Sequence, residues 1–148
     1  MTPKADSVFL DTSVIISAVL SETGGARQLF RLGEIGVLQL VVGPNVLRES
    51  EEVVRRKAPA SLEKLAFLLN VGKVETSVAP SGELVQQARL FVEYRPDAYV
   101  LAEALQSNAG WLVTHDKKHF FADGITFDLP LQIGTPGDLL QAFQARYS

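Results

Sequence analysis

Two rhythms of apolar residues alternate along this chain. Short unbroken runs read as buried strands: Val8-Phe9-Leu10, Leu38-Gln39-Leu40-Val41-Val42, Trp111-Leu112-Val113 and Leu131-Gln132-Ile133. Between them apolar residues recur at helical spacing, the mark of an amphipathic face. That spacing predicts helices over 12–20 (Val14, Ile15, Ala18, Val19), 26–32, 45–57 (Val46, Leu47, Val53, Val54) and 60–70 (Leu62, Leu65, Ala66, Leu68, Leu69). It predicts others after Ser81 (Leu84, Val85, Ala88, Phe91), from about 95 to 108 (Val100, Leu101, Ala104, Leu105) and after Thr135 (Leu139, Leu140, Phe143). Gly24-Gly25, Gly33, Gly43-Pro44, Ala58-Pro59, Gly72 and Asn108-Ala109-Gly110 punctuate the pattern. Residues 73–76 read as a short strand, 117–121 as one helical turn and 125–130 as a loop. Strands alternating with helices predict an α/β fold with a parallel sheet covered on both faces. With no repeat and no linker long enough to divide it, the chain reads as one domain over 1–148.

Composition narrows the class. A hydrophobic content of 47% belongs to a folded globule. The absence of cysteine excludes disulfides and thiolate metal sites and is compatible with a reducing cytosol. Met1 to Asp6 lacks the apolar segment of a signal peptide, and no apolar run is long enough to cross a bilayer. The expectation is a cytoplasmic protein without membrane contact. The net charge of −3 counts mildly against a nucleic-acid binder. A site that gathers carboxylates around cations lowers the total in the same way.

Four acids carry the candidate chemistry. Asp11 follows the first apolar run, with Thr12 or Ser13 placed to cap the helix that begins there. Glu49 lies in the first turns of the helix after the second strand, and Glu52, one turn on, is its rival. Asp97 opens the helix at Pro96, and Asp116 follows the Trp111 run. Each has a plainer role: Asp11 as a helix cap, Glu49 on a solvated acidic face, Asp97 as a first-turn acid favoured by the helix dipole, Asp116 in a turn. Together they sit where one end of a parallel sheet would collect them, outside the carboxyl ends of the strands. Carboxylates held close repel unless cations neutralise them. An all-oxygen acidic site suits magnesium or manganese.

Asp11-Thr12-Ser13 after a short apolar strand, Pro96-Asp97-Ala98-Tyr99-Val100-Leu101-Ala102 followed by Trp111-Leu112-Val113-Thr114-His115-Asp116, and Gly134-Thr135-Pro136 before the last helix together resemble the PIN-domain family of metal-dependent ribonucleases. The resemblance spans nearly the whole chain and is most specific in its C-terminal half. It implies a three-layer α/β/α sandwich around about five parallel strands. It also implies that Asp11, Glu49, Asp97 and Asp116 are catalytic and bind magnesium or manganese, with Thr12, Ser13 and Thr114 as polar supports. Some members carry a further acid shortly after the fourth. Here Lys117-Lys118-His119-Phe120 stand there, and Asp123 comes late.

The activity so implied is endonucleolytic hydrolysis of RNA by metal-activated water, leaving 5′-phosphate and 3′-hydroxyl ends. Many stand-alone members of this size are toxins held by an antitoxin, which makes an antitoxin a candidate partner. A homodimer through the apolar helix over 60–69 is another expectation, with burial of that helix in the core as the competing one. Arg48, Lys117 and Lys118 are candidate contacts to the RNA backbone, set against plain surface solubility. Single-stranded RNA is the expected form, since exposed bases can stack on aromatics such as Tyr94 or Tyr99. Two other readings stay open. One is a PIN-like module that binds RNA or protein without cutting. The other is an aspartate-based phosphatase using Asp11 as nucleophile, although Ser13 stands where such enzymes place a second acid.

Overall fold

Val8, Phe9 and Leu10 are wholly buried, and the strand they complete, β1 (Lys4–Leu10), lies at the centre of the sheet. The structure is a computed structural model that describes residues 4–120 and 129–146. β1 is flanked on one side by β2 (Gln39–Val42) and β3 (Glu75–Thr76), and on the other by β4 (Ala109–Val113) and β5 (Gln132–Gly134). The order is β3-β2-β1-β4-β5 and every pairing is parallel. Phe9 is in register with Val41 on one side and Leu112 on the other. A central strand in such a sheet is covered on both faces, which is why its apolar residues run without alternation. β1 extends further back than the apolar run because backbone pairing with β4 already begins at Lys4 and Ala109.

The helices are α1 (Thr12–Leu20), α2 (Gly25–Glu34), α3 (Pro44–Lys57), α4 (Leu62–Val71), α5 (Gly82–Phe91), α6 (Arg95–Gln106), α7 (Lys117–Phe120) and α8 (Pro136–Arg146). α1 to α4 pack on one another, with α8 against α2; α5 and α6 form a separate pair, α6 lying on β4. Two helical layers thus enclose the sheet, the three-layer architecture expected from the alternation of strand and helix.

Local chemistry accounts for the boundaries. Pro44 sits at the start of α3, where a missing N–H costs nothing. Ser81 caps α5 by accepting from the Leu84 amide at 3.2 Å. Asn108 takes a left-handed backbone (φ 59°) just beyond α6, a conformation asparagine tolerates. The helix expected over 60–70 is divided: residues 59–61 form one tight turn, with Ser61 N–H donating to Ala58 O, before α4 proper begins. Leu65 and Leu68 of α4 are buried in the core while Phe67 is exposed, so this helix serves the monomer's interior first. Most of the loop expected over 125–130 lies outside the described residues, as does Asp123. No helix among the described residues is long and apolar enough to cross a membrane.

Candidate acidic site at the end of the sheet

The chain leaves the sheet in opposite directions on either side of β1. β2 and β3 lie to one side of it, β4 and β5 to the other. In open parallel sheets ligands bind outside the carboxyl ends of the strands, at the point where the order reverses. Asp11 ends β1 there and the Thr114-His115-Asp116 segment ends β4. The two are laced together: Asp11 N–H donates to Val113 O at 3.0 Å, and Thr114 N–H donates to Gly134 O of β5 at 2.9 Å.

Asp11 is itself the N-cap of α1, its Oδ1 accepting from the Thr12 amide at 2.8 Å. Thr12 and Ser13 lie inside the first turn, which corrects the expectation that one of them caps the helix. The reason is geometric: the last extended residue of β1 is the one whose side chain can turn back onto the new helix. Asp11 Oδ2 accepts from Thr114 Oγ1 at 2.7 Å and from Ser13 Oγ at 3.3 Å. Thr114, fully buried, also accepts from the Asp116 amide at 3.0 Å, and Ser13 Oγ accepts from the His115 amide at 3.1 Å. Two hydroxyls therefore fix both acid-bearing segments at once. Thr12 acts through its amide alone, for its hydroxyl is buried with no hydrogen-bond partner among the described residues.

Three donors occupy part of the acceptor capacity of Asp11, which as a carboxylate offers about four lone-pair sites. Burial pushes its carboxyl above the ordinary value of 3.8; the bonds from Thr114, Thr12 and Ser13 pull it back in part, and the charge of Asp116 adds to the rise. Glu49, exposed on α3, is raised by partial desolvation and then by the charges of Asp11, Asp97 and Glu52. Asp97, half-buried in the first turn of α6, thus shares a field with Glu49, and Glu49 shares one with Asp11. Glu52 acts on Glu49 as one more like charge, while Glu49 is the α3 acid that feels Asp11 and Asp97.

The basic residues are less available than their charge suggests. Lys117 Nζ is paired with Asp138 Oδ2 at 2.8 Å, and Asp138 is held below the ordinary carboxylate value first by that bond and then by the Thr135 amide. Arg48 donates to Asn45 Oδ1 at 2.7 Å. Lys118 is exposed.

One buried acid was invisible in the hydrophobic pattern. Glu103 of α6 is wholly inaccessible to solvent, and its Oε2 accepts from the Asn45 amide at 2.8 Å. Two signals could have found it. It interrupts the apolar stretch of α6, and α3 begins at Gly43-Pro44 with no capping side chain of its own.

The donor set at Asp11, Glu49, Asp97 and Asp116 fits a hard divalent cation by its chemistry. It consists of carboxylate oxygens, and like charges and burial are what raise Asp11 and Glu49. Among the described residues no three such side chains are yet closed into a ready-made coordination shell. The site is an uncompensated acidic field rather than a preformed cage.

The raised Asp11 has a consequence for stability. Its folded carboxyl keeps a proton at pH values where the unfolded chain has lost it, so more protons are bound in the folded state. Stability then falls as pH rises from 3.8 through the folded value, and near neutrality the ionised group is destabilising. Asp11→Asn is therefore expected to lose this fall of stability with rising pH when melted in EDTA. Manganese at 100 times its Kd should stabilise the parent by about 2.7 kcal/mol and leave the variant nearly unmoved. Differential scanning calorimetry with and without manganese checks both signs.

Comparison with known proteins follows the same outline. No curated protein sequence matches the chain. Among solved structures, VapBC2 from Rickettsia felis, bound to a DNA fragment from their promoter, superposes with a TM-score of 0.65 at 18% identity, over 86% of this chain and 96% of that one. FitAcB from Neisseria gonorrhoeae gives 0.58 at 20% identity, over 87% and 97%. VapC20 from Mycobacterium tuberculosis, described as a sarcin-ricin loop cleaving toxin, gives 0.53 at 19% identity, over 80% and 96%. At these identities the likeness is one of fold. The PIN domain family profile matches residues 7–118, from within β1 to just past Asp116. That span holds all four acids and the two hydroxyls that brace them, and on it the chain belongs to the PIN-domain family.

Proposed function

We propose that this protein is a magnesium- or manganese-dependent endoribonuclease, the toxin of a toxin–antitoxin pair. The observation that carries the reading is the charge coupling of Asp11 with Asp116 and of Glu49 with Asp11 and Asp97, acids contributed by four separate segments. Family membership and the likeness in fold to VapC20, VapBC2 and FitAcB support it.

When bound, a divalent cation supplies a lowered water pKa and charge stabilisation at the leaving oxygen of a phosphodiester. Asp11, Glu49, Asp97 and Asp116 would hold it. Thr114 and Ser13 keep the Asp11 carboxylate in one orientation, so that its remaining lone pairs face the site. No histidine is required as base. Lys118 is exposed and would meet the RNA backbone, whereas Lys117 must first leave Asp138. Asp11 as a phosphatase-type nucleophile suits the geometry less well, because three hydrogen bonds hold and blunt that carboxylate.

The test is direct. Purified protein is incubated with single-stranded RNA in magnesium or manganese, and the products are sequenced at their ends. Internal cuts bearing 5′-phosphates, abolished by EDTA and restored by manganese, are the expected result. RNA left intact under every divalent cation, with the protein free of any partner, would remove the nuclease reading and favour a non-cleaving binding module.

A further inference from the structure

Glu103 is a carboxyl group with no contact to water, and it feels the charge of Glu49 in the acidic site. It projects from the middle of α6 onto the beginning of α3. The first turn of any helix leaves amides without intrahelical partners. In α3, Pro44 has no N–H to satisfy, Gly43 has no side chain to offer, and the amides of Asn45 and Val46 both turn to the Glu103 carboxylate. Burial pushes the Glu103 carboxyl above its ordinary value; the α3 amides and Arg48 pull it back in part, and the charge of Glu49 adds to the rise. Gly43 is fitted to the arrangement, since a β-carbon at that position would overlap the carboxylate.

What makes this more than a cap is where the two helices lead. One turn beyond Asn45, α3 presents Glu49; six residues before Glu103, α6 presents Asp97. A local cap from Ser, Thr, Asp or Asn at position 43 would satisfy the same amides, and such caps are the common solution. This chain instead sends a carboxylate across 58 residues of sequence separation to do it.

We propose that Glu103 is a positioning residue, a tie between α3 and α6 that holds Glu49 and Asp97 at the spacing a divalent cation needs. The proposal rests on the nuclease reading for its cation, and binding of manganese alone tests it apart from cleavage.

The experiment moves the cap without keeping the tie. The double variant Gly43→Asp/Glu103→Ala conserves net charge and offers the α3 amides a local acceptor in the space Glu103 vacates. Hydrogen exchange at Asn45 and Val46 reports the cap, thermal unfolding reports the fold, and calorimetric titration with manganese reports the site. The expected result is native-like exchange and melting, with manganese affinity down roughly 10–100-fold, as for lost supporting contacts at metal sites. Where RNA is cleaved, kcat should fall with it and KM for RNA should hold. Glu103→Gln, nearly isosteric and able to keep the acceptor, should stay within about threefold of the parent on the same scale. Manganese affinity restored along with the cap in the double variant overturns the proposal, since Glu103 would then be only a cap. A tenfold or greater loss of manganese affinity in a folded Glu103→Gln overturns it as well. If the parent binds manganese but cuts no RNA, the nuclease reading fails while the tie is still judged by these titrations.

Discussion

Asp97→Asn should abolish RNA cleavage while leaving the protein folded. The substitution removes one charge and keeps nearly the same shape, so packing around the first turn of α6 is preserved. Asp97 is half-buried and acts on Glu49 as a like charge, so its neutralisation relieves repulsion in the metal-free protein. That same charge is what a bound cation would need. Cation chemistry contributes several kcal/mol to phosphodiester hydrolysis, and each 1.36 kcal/mol is tenfold in rate. A fall in kcat of about 10³-fold or more is therefore expected, with an unchanged urea midpoint. Single-turnover cleavage at saturating manganese, beside equilibrium unfolding of the same preparation, makes the comparison. Full activity in this variant would dispose of the four-carboxylate reading.

Phe9→Ala should produce the largest loss of stability of any single truncation considered. Phe9 is inaccessible to solvent, lies on the central strand and sits opposite Val41 and Leu112. Truncating a buried phenylalanine costs about 3–5 kcal/mol. Against a total of about 5–15 kcal/mol for a domain, that is a large share. In urea, with a slope near 1–3 kcal/mol per molar, the midpoint should drop by roughly 1–5 M with no change in slope. The consequence reaches the site, because Phe9 stands two residues before Asp11. Partial unfolding should reduce cleavage in proportion to the folded fraction, unlike Asp97→Asn, which acts on folded molecules. A midpoint within about 1 kcal/mol of the parent would mean that β1 is not the centre of the core.

The candidate acids were legible in the chain only as residues that follow apolar runs or open helices. Asp11 and Asp116 each follow an apolar run, and a parallel sheet sends such positions to one rim by construction. The choice between Glu49 and Glu52 was not readable. They lie one helical turn apart, and the direction of α3 relative to β1 decides which acid feels Asp11 and Asp97. For the cap of α1 the sequence offered Asp11 as well as Thr12 or Ser13, and the turn at the end of β1 decides for Asp11 by bringing its carboxylate onto the Thr12 amide. Lys117 reads in sequence as a free cation beside Asp116. Its partner Asp138 lies 21 residues on, at the start of another helix.

Sequence alone determined the class of fold, because the lengths and periods of apolar runs distinguish buried strands from amphipathic helices and their alternation forces parallel pairing. It also determined the chemistry available, since four acids at element ends with no cysteine and little histidine leave oxygen donors as the means of holding an ion. Tertiary structure decided everything that depends on distance between remote residues. Thr114 reaches Asp11 across 103 positions, and Glu103 reaches the α3 amides across 58. Hydrogen bonds require approach within about 3.5 Å, and periodicity along a chain carries no information about contacts on that scale between segments that meet only after folding.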